Sequence, residues 1–573
     1  MIVLLSAAPI WANPVLELNN SVNTADFQTT ISGTITDDAG TPLGGANVVE
    51  KGTTNGTQSD FDGNFTITAA TNAVLVISYV GFTTQEVSVD GQTSITITMA
   101  EDFSQLSEVV VTGYLAQTRG DLTGSVASVD MAEATKAPIV NAAEALEGRV
   151  TGVTVNNAGS PGAAPKVTIR GFGTSNNTNP LYIVDGVQTD NANILNSINP
   201  ADIEQINVLK DGAAAIYGAR ASNGVVIITT KGGGYNQATP TISLDLYTGF
   251  SRAANPPDLL NAQQHADMVF QSLTNDGSPI THPQYDPGST GTFTVPSALV
   301  GYVDPLTGGP ATATVRPGGT NWLDAIGQDG WTHNVSFAVS NGNETGKYYL
   351  SANYLDREGI FINTGFEQGT TRLNSEFKLG RVTVGEHLGV SYSNTETGVF
   401  GGGEDGSPGA FGPVNEALRS SPLIPIRDDN GVLAGTASGG LGNSRSPYAN
   451  LVRSKDNFNR RFRVFGDVYL NAEIIDGLNF KTVFSGSVEN FDSRRFQALD
   501  PEHIEPLATN TLAEQNIQNF LWTWTNTLNY TKIFGDHNVN ALIGIEAVED
   551  GSKGKQISRN GFLFETPDFY LLN

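Results

Sequence analysis

The C-terminal part of the chain alternates apolar and polar residues with a period of two. In the first such stretch Ile242, Leu244 and Leu246 fall on one side, while Ser243 and Asp245 fall on the other. Alternation of this kind predicts β-strands with one apolar and one polar face. The pattern recurs in later stretches and predicts nine strands in all: 241–251, 335–339, 348–354, 373–379, 388–392, 462–470, 478–488, 520–530 and 539–545.

The connections between these predicted strands alternate in length. Tight turns such as 341–346 and 535–537 alternate with long polar segments such as 251–331 and 394–459. Short turns at one rim and long loops at the other are typical of barrels that cross an outer membrane. The alternative is a large soluble β-sheet, whose apolar face packs on a second layer of the same protein.

Nine strands are too few to close a wide barrel. A barrel wide enough to hold an internal domain has about 22 strands, and the nine predicted strands already use the residues after 240. A sheet edge facing lipid leaves backbone groups without hydrogen-bond partners, at a cost of several kcal/mol for each group. We therefore expect residues 235–573 to form an incomplete transmembrane antiparallel β-barrel, and the sequence to be the N-terminal part of a longer protein.

Three regions precede the predicted barrel and complete a multi-domain, mainly β protein. Residues 27–100 show period-two strands between Gly- and Asp-rich turns, which predicts a small N-terminal β-sandwich of about seven strands. Residues 117–234 alternate short apolar strands with helix starts and end at three glycines, which predicts a mixed α/β domain. Residues 101–116 are extended and rich in Val. A partner that adds a strand is able to grip such a segment, and an ordinary edge strand or linker is the alternative.

Composition limits the possible functions. The chain has 573 residues, no cysteine and a net charge of −27. Without cysteine it has neither a disulfide scaffold nor a thiolate metal site, and its acidic balance argues against a nucleic-acid partner. Residues 1–26 contain a short apolar run, interpreted as the remnant of a secretory signal with a linker; a disordered apolar tail is the alternative. No later run approaches the roughly 18 apolar residues of a membrane helix.

Motifs for catalysis are missing from the sequence. It contains no HExxH, no GxxxxGK[ST] phosphate loop and no GxSxG, and its six histidines lack the spacing of metal ligands. We therefore predict neither an enzyme activity nor a cofactor.

Several ordered motifs carry a resemblance to a known family. LSEVVVTGY, VTIRGFGTSNNTNPLYIVDGV and INPADIEQINVLKDGAAAIYGARASNGVVIITTKGG resemble the TonB box and plug domain of SusC-like (RagA-like) TonB-dependent outer-membrane transporters. The earlier motifs GTITDDAGTPLGGANV, TQSDFDGNF and YVGF resemble a carboxypeptidase regulatory-like domain. The match runs nearly continuously from Phe27 to Gly234; Leu115 departs from it, where the family usually has Gly.

The resemblance implies a function and a set of partners. It implies active import of an oligomeric nutrient, a glycan or an oligopeptide, through a barrel embedded in outer-membrane lipid. The implied partners are TonB, on the periplasmic side, and a SusD-like surface lipoprotein. The alternative from another class is a non-transporting receptor or adhesin on the same barrel. A secreted multi-domain β-sandwich protein is a third possibility.

The resemblance also implies site residues. The TonB-binding segment corresponds to Leu106, Glu108, Val109, Val110, Val111 and Thr112. The plug-motif residues are Arg170, Gly171, Asp185, Gly186, Tyr217, Gly218 and Arg220. Among these, Arg170 and Asp185 are expected to pack on the barrel wall, in a structural role rather than in contact with substrate.

The predicted long loops contain two further candidate sites. Asp428, Asp429 and Asn430 carry oxygen atoms suited to a cation, although a solvated loop tip is the favoured interpretation. Trp322, Trp331 and Tyr302 have the aromatic faces on which sugars stack, and ordinary loop packing explains them equally well.

Overall fold

A computed structural model describes residues 28–570, except 38–39, 54, 80–81, 101–108, 113–114, 119–123, 158, 174–176, 289–290, 397–411 and 535–536. The N-terminal domain is one compact unit, and the α/β domain together with the C-terminal sheet is a second. Within the described part of the chain, no helix combines the length and the apolar character needed to cross a membrane.

The N-terminal domain is a β-sandwich of seven strands, as predicted. Its strands are β1 (Gln28–Asp37), β2 (Asn47–Glu50), β3 (Gly56–Gln58), β4 (Asn64–Ala70), β5 (Val74–Ser78), β6 (Gln85–Ser88) and β7 (Ser94–Met99). One sheet has the order β4-β1-β7 and the other β3-β2-β5-β6. Alternate residues of β4 and β7 are buried, and Ile31, Ile77 and Met99 lie in the shared core. The sequence periodicity therefore marks the core faces correctly. Two short strands follow, β8 (Val109–Thr112) and β9 (Leu115–Thr118), which pair with each other.

The α/β domain is built on a five-stranded sheet. Its strands are β10 (Ser125–Asp130), β13 (Leu181–Val184), β14 (Val187–Thr189), β15 (Ile203–Lys210) and β16 (Val225–Thr230), in the order β10-β15-β16-β13-β14. Only β13 and β16 pair in parallel. A separate hairpin pairs β11 (Val153–Asn156) with β12 (Lys166–Ile169).

Short helices connect the strands of the α/β domain. These are α1 (Met131–Ala134) and the 3-10 segments Glu144–Leu146, Ala192–Ser197, Pro200–Asp202 and Asp211–Ala221. Asp130 caps α1 by accepting from the backbone N–H groups of Ala132 and Glu133. The segment Asp211–Ala221 is interrupted at Gly218, where φ is 71°.

The C-terminal part forms one antiparallel sheet of nine described strands in sequence order, here called the wall. The strands are β17 (Thr241–Ser251), β18 (Gly330–Gly342), β19 (Gly346–Glu358), β20 (Gly365–Leu379), β21 (Val382–Glu396), β22 (Phe458–Ile475), β23 (Leu478–Gln497), β24 (Thr511–Phe534) and β25 (His537–Asn560). All nine predicted strands are confirmed. The apolar residues of β17, including Ile242, Leu244 and Leu246, are exposed. The face opposite to them, here called the inner face, is polar.

Tight turns join the strands at one rim of the wall, and longer connections join them at the other. Three or fewer residues separate β18 from β19, β20 from β21, β22 from β23 and β24 from β25. The long connections contain helices α2 (Ala262–Asn275), α3 (Trp322–Ile326), α4 (Pro413–Arg419) and α5 (Pro447–Arg453). The last described helix is the 3-10 segment Pro567–Phe569.

The two longest connections are not simple polar loops, contrary to the interpretation of them as polar excursions. They share a hydrophobic core that includes Tyr285, Phe293, Trp322, Leu423 and Leu451. Apolar residues that are scattered in the sequence meet there, so the two connections form one folded cap, here called the loop domain.

Candidate functional site

The α/β domain lies on the inner face of the wall and is bonded to it by buried polar side chains. Buried polar groups are costly unless they find partners. The polar side chains on the inner face of the wall therefore stabilise the bound domain only where each hydrogen-bond donor faces an acceptor.

The central contact is a buried ion pair between Asp185 and Arg372. Asp185 follows β13 with φ of 45°, and Arg372 projects inwards from β20. The Arg372 Nη1 atom lies 2.7 Å from Asp185 Oδ2, and the two side chains are 4% and 3% exposed. Asp185 also accepts from the Thr230 backbone N–H at 2.9 Å and from the Thr230 hydroxyl at 2.8 Å. The carboxylate thus joins the ends of β13 and β16 to the wall.

A second contact comes from the short helical segment that begins after Asn199. Asn199 caps this segment through Ala201, and its side-chain amide donates to the Ser336 hydroxyl on β18 at 2.6 Å. Asp202 accepts from the Tyr349 hydroxyl at 2.8 Å and from Ser351 at 2.7 Å, both on β19. Burial raises the pKa of the Asp202 carboxyl, while these two hydrogen bonds act to lower it.

Further contacts reach the later strands of the wall. Arg463 on β22 donates to the Ser197 hydroxyl at 2.8 Å and pairs with Glu489 on β23. The Ser485 hydroxyl donates to the Gly186 carbonyl at 3.1 Å. Gln188 accepts from Arg220 at 2.8 Å and donates to Glu546 on β25 at 3.1 Å.

The residues proposed from sequence as plug-motif residues occupy different places. Asp185 and Gly186 contact the wall directly, and Arg220 approaches it at Glu546, 3.9 Å away. Arg170 instead pairs with Asp211 of its own domain at 2.7 Å, and both side chains are about half exposed.

The remaining plug-motif residues shape the backbone and the packing of their own domain. Gly171 and Gly218 have φ values of 91° and 71°, which favour glycine. Tyr217 packs against a small cluster inside the α/β domain. Of the predicted TonB-binding residues, Val109, Val110, Val111 and Thr112 form β8, whereas Leu106 and Glu108 lie outside the described residues.

Several residues at this contact were not predicted as site residues from the sequence: Asn199, Asp202, Arg372 and Arg463. A signal for two of them was present. Arg372 and Arg463 stand on the polar rows of strands whose other face is apolar. Charged residues inside membrane-spanning segments usually face the protein interior and mark functional contacts.

The two candidate sites in the loops lie away from the contact between the α/β domain and the wall. Asp428 is buried, and its carboxylate accepts from the backbone N–H groups of Asn430 and Val432, so the interpretation as a solvated loop tip is wrong for Asp428. Among the described residues no group of three or more His, Cys, Asp or Glu is arranged for a metal ion.

The aromatic candidates mostly pack within the loop domain. Trp322 is buried and donates through Nε1 to the Ser421 carbonyl at 3.0 Å, and Tyr302 is buried beside Asp428. Loop packing is therefore confirmed for these two. Trp331 is 47% exposed on the apolar face of β18, beside Phe250.

Comparison with known proteins identifies both N-terminal domains. Residues 118–225 match the TonB-dependent receptor plug domain, and residues 31–111 match the CarboxypepD_reg-like domain. A TonB-dependent receptor of Formosa agariphila is 35% identical over 527 residues, covering 90% of this chain and 47% of the relative. The TonB-dependent receptor SusC of Bacteroides thetaiotaomicron is 34% identical over 363 residues, covering 62% of this chain and 32% of SusC. The resemblance to SusC-like TonB-dependent receptors is confirmed.

A solved structure agrees with this assignment. The RagAB peptide importer in its closed-closed state is similar with a TM-score of 0.60 and 26% identity, over 79% of this chain and 50% of the solved chain. The present chain spans about half the length of the three curated relatives that match it over at least 90% of its own length. By this similarity the α/β domain corresponds to the plug of TonB-dependent receptors, and the nine-stranded wall corresponds to part of an outer-membrane barrel.

Proposed function

We propose that the chain serves in TonB-dependent active import of an oligomeric nutrient, a glycan or an oligopeptide, across the outer membrane. The observation that carries this proposal is the buried, bonded contact between the plug and the wall. The ion pair between Asp185 and Arg372 has almost no solvent exposure. A plug held in this way blocks the space beside the inner face, so passage of an oligomer requires the plug to be remodelled.

The force for remodelling has to arrive through an extended segment outside the plug. We propose that TonB binds residues 106–112, part of which forms β8, and pulls on them. Binding by strand addition depends chiefly on main-chain hydrogen bonds. We further propose that a SusD-like surface lipoprotein delivers the substrate. Support for a peptide substrate comes from the similar RagAB structures, which are described as a peptide importer.

A pair of substitutions at Val110 in the full-length receptor tests this mechanism. Val110→Pro removes a main-chain donor and resists strand pairing, whereas Val110→Ala keeps the backbone intact. Deletion of residues 106–112 is the stronger version of the first change. Uptake of a fluorescent oligopeptide mixture and of a fluorescent glycan mixture is measured beside their binding to the cell surface.

Import driven by TonB predicts that Val110→Pro and the deletion abolish uptake with surface binding retained, and that Val110→Ala has little effect. Unchanged uptake after the deletion contradicts the mechanism. Surface binding with no uptake in any version, including the unaltered receptor, favours the non-transporting receptor or adhesin.

A further inference from the structure

A cavity of about 460 Å³ separates one part of the plug from the wall. On the plug side it is lined by residues 135–140, by the segment from Asn199 to Asp202 and by Lys231. On the wall side it is lined mainly by β17, β18 and β19, through residues such as Ser243, Asp245, Asn334, Ser336 and Ala338. Its volume falls in the range of small-molecule pockets, about 300–1,000 Å³. The cavity is therefore too small for a whole oligomer, and it forms a gap between the plug and the wall.

The plug segment beside this cavity is bonded differently from the rest of the plug. Within the described residues, the hydrogen bonds and ion pairs of residues 131–140 stay inside the plug. The Val140 backbone N–H donates to Glu144 at 2.8 Å, the Thr135 hydroxyl donates to the Met131 carbonyl at 2.7 Å, and Lys136 pairs with Glu133. By contrast, residues 185–202 and 230–231 donate to or accept from wall side chains on six different strands.

The strand just before this segment lies at one edge of the plug sheet. β10 lies at the sheet edge, so it pairs with β15 alone, over six residue pairs from Ser125 with Lys210 to Asp130 with Gln205. It is the first strand of the plug sheet along the chain, and β8 and β9 precede it. A pull transmitted from β8 therefore reaches β10 and residues 131–140 before any plug residue that is bonded to the wall.

We propose that the passage for substrate opens at this cavity, by displacement of residues 125–140 along β17, β18 and β19, while the rest of the plug stays on the wall. This inference rests on the proposed TonB-driven import. The wall would then present hydroxyl and amide groups from Ser243, Asn334 and Asn353. Such groups exchange hydrogen bonds with a polar, uncharged substrate without holding it tightly.

Cysteine labelling in whole cells tests the location of the passage. The chain has no cysteine, so an introduced one is the single target within it. Ala338→Cys places a thiol at a wall residue of the cavity that is 8% exposed, and Thr523→Cys places one at an inward residue of β24 that is 2% exposed. Neither change removes a side-chain hydrogen bond that the structure shows. The probe is an uncharged, hydrophilic maleimide too large for general porins, added outside energised cells or cells without a proton gradient.

The expected result is that energisation speeds labelling of the Ala338→Cys variant about tenfold or more, since a minor open state is typically populated at about 10% or less. Labelling of the Thr523→Cys variant should stay unchanged. Labelling after denaturation shows that both thiols are present, and the unaltered receptor gives the background.

Each other outcome overturns the inference and says what remains. Faster labelling of both variants means that the whole plug leaves the wall, and faster labelling of Thr523→Cys alone places the passage elsewhere. If neither variant responds while deletion of residues 106–112 still abolishes uptake, import stands and this passage is wrong. If neither responds and the deletion has no effect, the proposed function fails as well.

Discussion

Removing one partner of the ion pair between Asp185 and Arg372 should unseat the plug without help from TonB. Arg372→Met keeps a long apolar stem against the Phe465 ring, whose centroid lies 5.3 Å from the guanidinium carbon. It leaves the Asp185 carboxylate buried, with Thr230 as its remaining partner. Asp185→Asn has the reverse effect, because it leaves the Arg372 guanidinium buried without a carboxylate partner.

The size of the expected destabilisation follows from the burial of both side chains. Orphaning one charge of a buried pair costs about 3–5 kcal/mol, whereas replacing both partners is often close to neutral. Both side chains here are at most 4% exposed, so solvent screening relieves little of that cost. Since 1.4 kcal/mol is a factor of ten in an equilibrium constant, each single variant should shift the equilibrium between the seated and the unseated plug by roughly 10²- to 4 × 10³-fold. The double variant Asp185→Asn with Arg372→Met should lie much closer to the unaltered receptor than the sum of the two.

The assay is TonB-independent permeability of the full-length receptor. We expect open-channel events in planar bilayers, and uptake of a large hydrophilic antibiotic by cells lacking TonB, to rise in both single variants and to fall back in the double variant. Arg252→Met is the matched control, because Arg252 and Asp329 form a pair 3.0 Å apart with side chains 65% and 52% exposed. Such an exposed pair contributes at most about 1 kcal/mol. Single variants as tight as this control, or a double variant as leaky as the sum of the singles, would refute the reasoning.

The loop domain supports two further predictions. Trp322→Ala removes a side chain that is 1% exposed and a hydrogen bond to Ser421, so it should destabilise the loop domain by about 3–5 kcal/mol. Hydrogen exchange of residues 262–326 and 413–453 should accelerate in this variant. The control variant Trp331→Ala should leave the exchange rates of these residues unchanged. Burial lowers the pKa of His282, whose Nδ1 accepts from the backbone N–H groups of Gln284 and Tyr285. The neutral imidazole is the folded form, so its stabilisation is present above the unfolded pKa of about 6.5 and lost as pH falls below it. Limited proteolysis should therefore cut this loop faster at pH 5 than at pH 7.5, and His282→Asn, which keeps an acceptor, should flatten that difference; equal cutting at both pH values in the unaltered receptor would contradict the assignment.

The sequence predicts the existence of all nine wall strands but not their length. The last strand is predicted over 539–545, and β25 extends to Asn560. From Glu546 onwards the strand has the sequence EAVEDGSKGKQISRN, which is polar on both faces, yet it continues to pair with β24. Period-two alternation records which face meets lipid. It disappears where the strand continues beyond the apolar band, although the backbone hydrogen bonds do not change.

The pairing of individual plug residues with individual wall residues was beyond prediction for a different reason. Asp185 and Arg372 are 187 residues apart, and neither local sequence indicates the other residue as its partner. Family resemblance marks Asp185 and Arg170 alike, but only Asp185 stands at a strand end that faces the wall. The choice between them depends on how two domains meet, which no local pattern records. The same holds for the loop domain, whose core residues share no period.

The three glycines after the plug show how packing explains a sequence feature that pattern analysis notes only as a boundary. A Cβ atom on Gly233 would lie 2.4 Å from the Tyr348 carbonyl oxygen and 2.7 Å from that of Asn341, so only glycine fits between β18 and β19. Just beyond, the backbone N–H of Gln237 donates to the Gly342 carbonyl at 2.9 Å, and the Tyr235 hydroxyl donates to Glu376 at 2.8 Å. The C-terminal end of the plug is therefore fixed to the turn rim of the wall by close packing and hydrogen bonds. This anchor lies at the opposite end of the plug sequence from the segment on which TonB is proposed to pull, which favours partial remodelling of the plug over its expulsion.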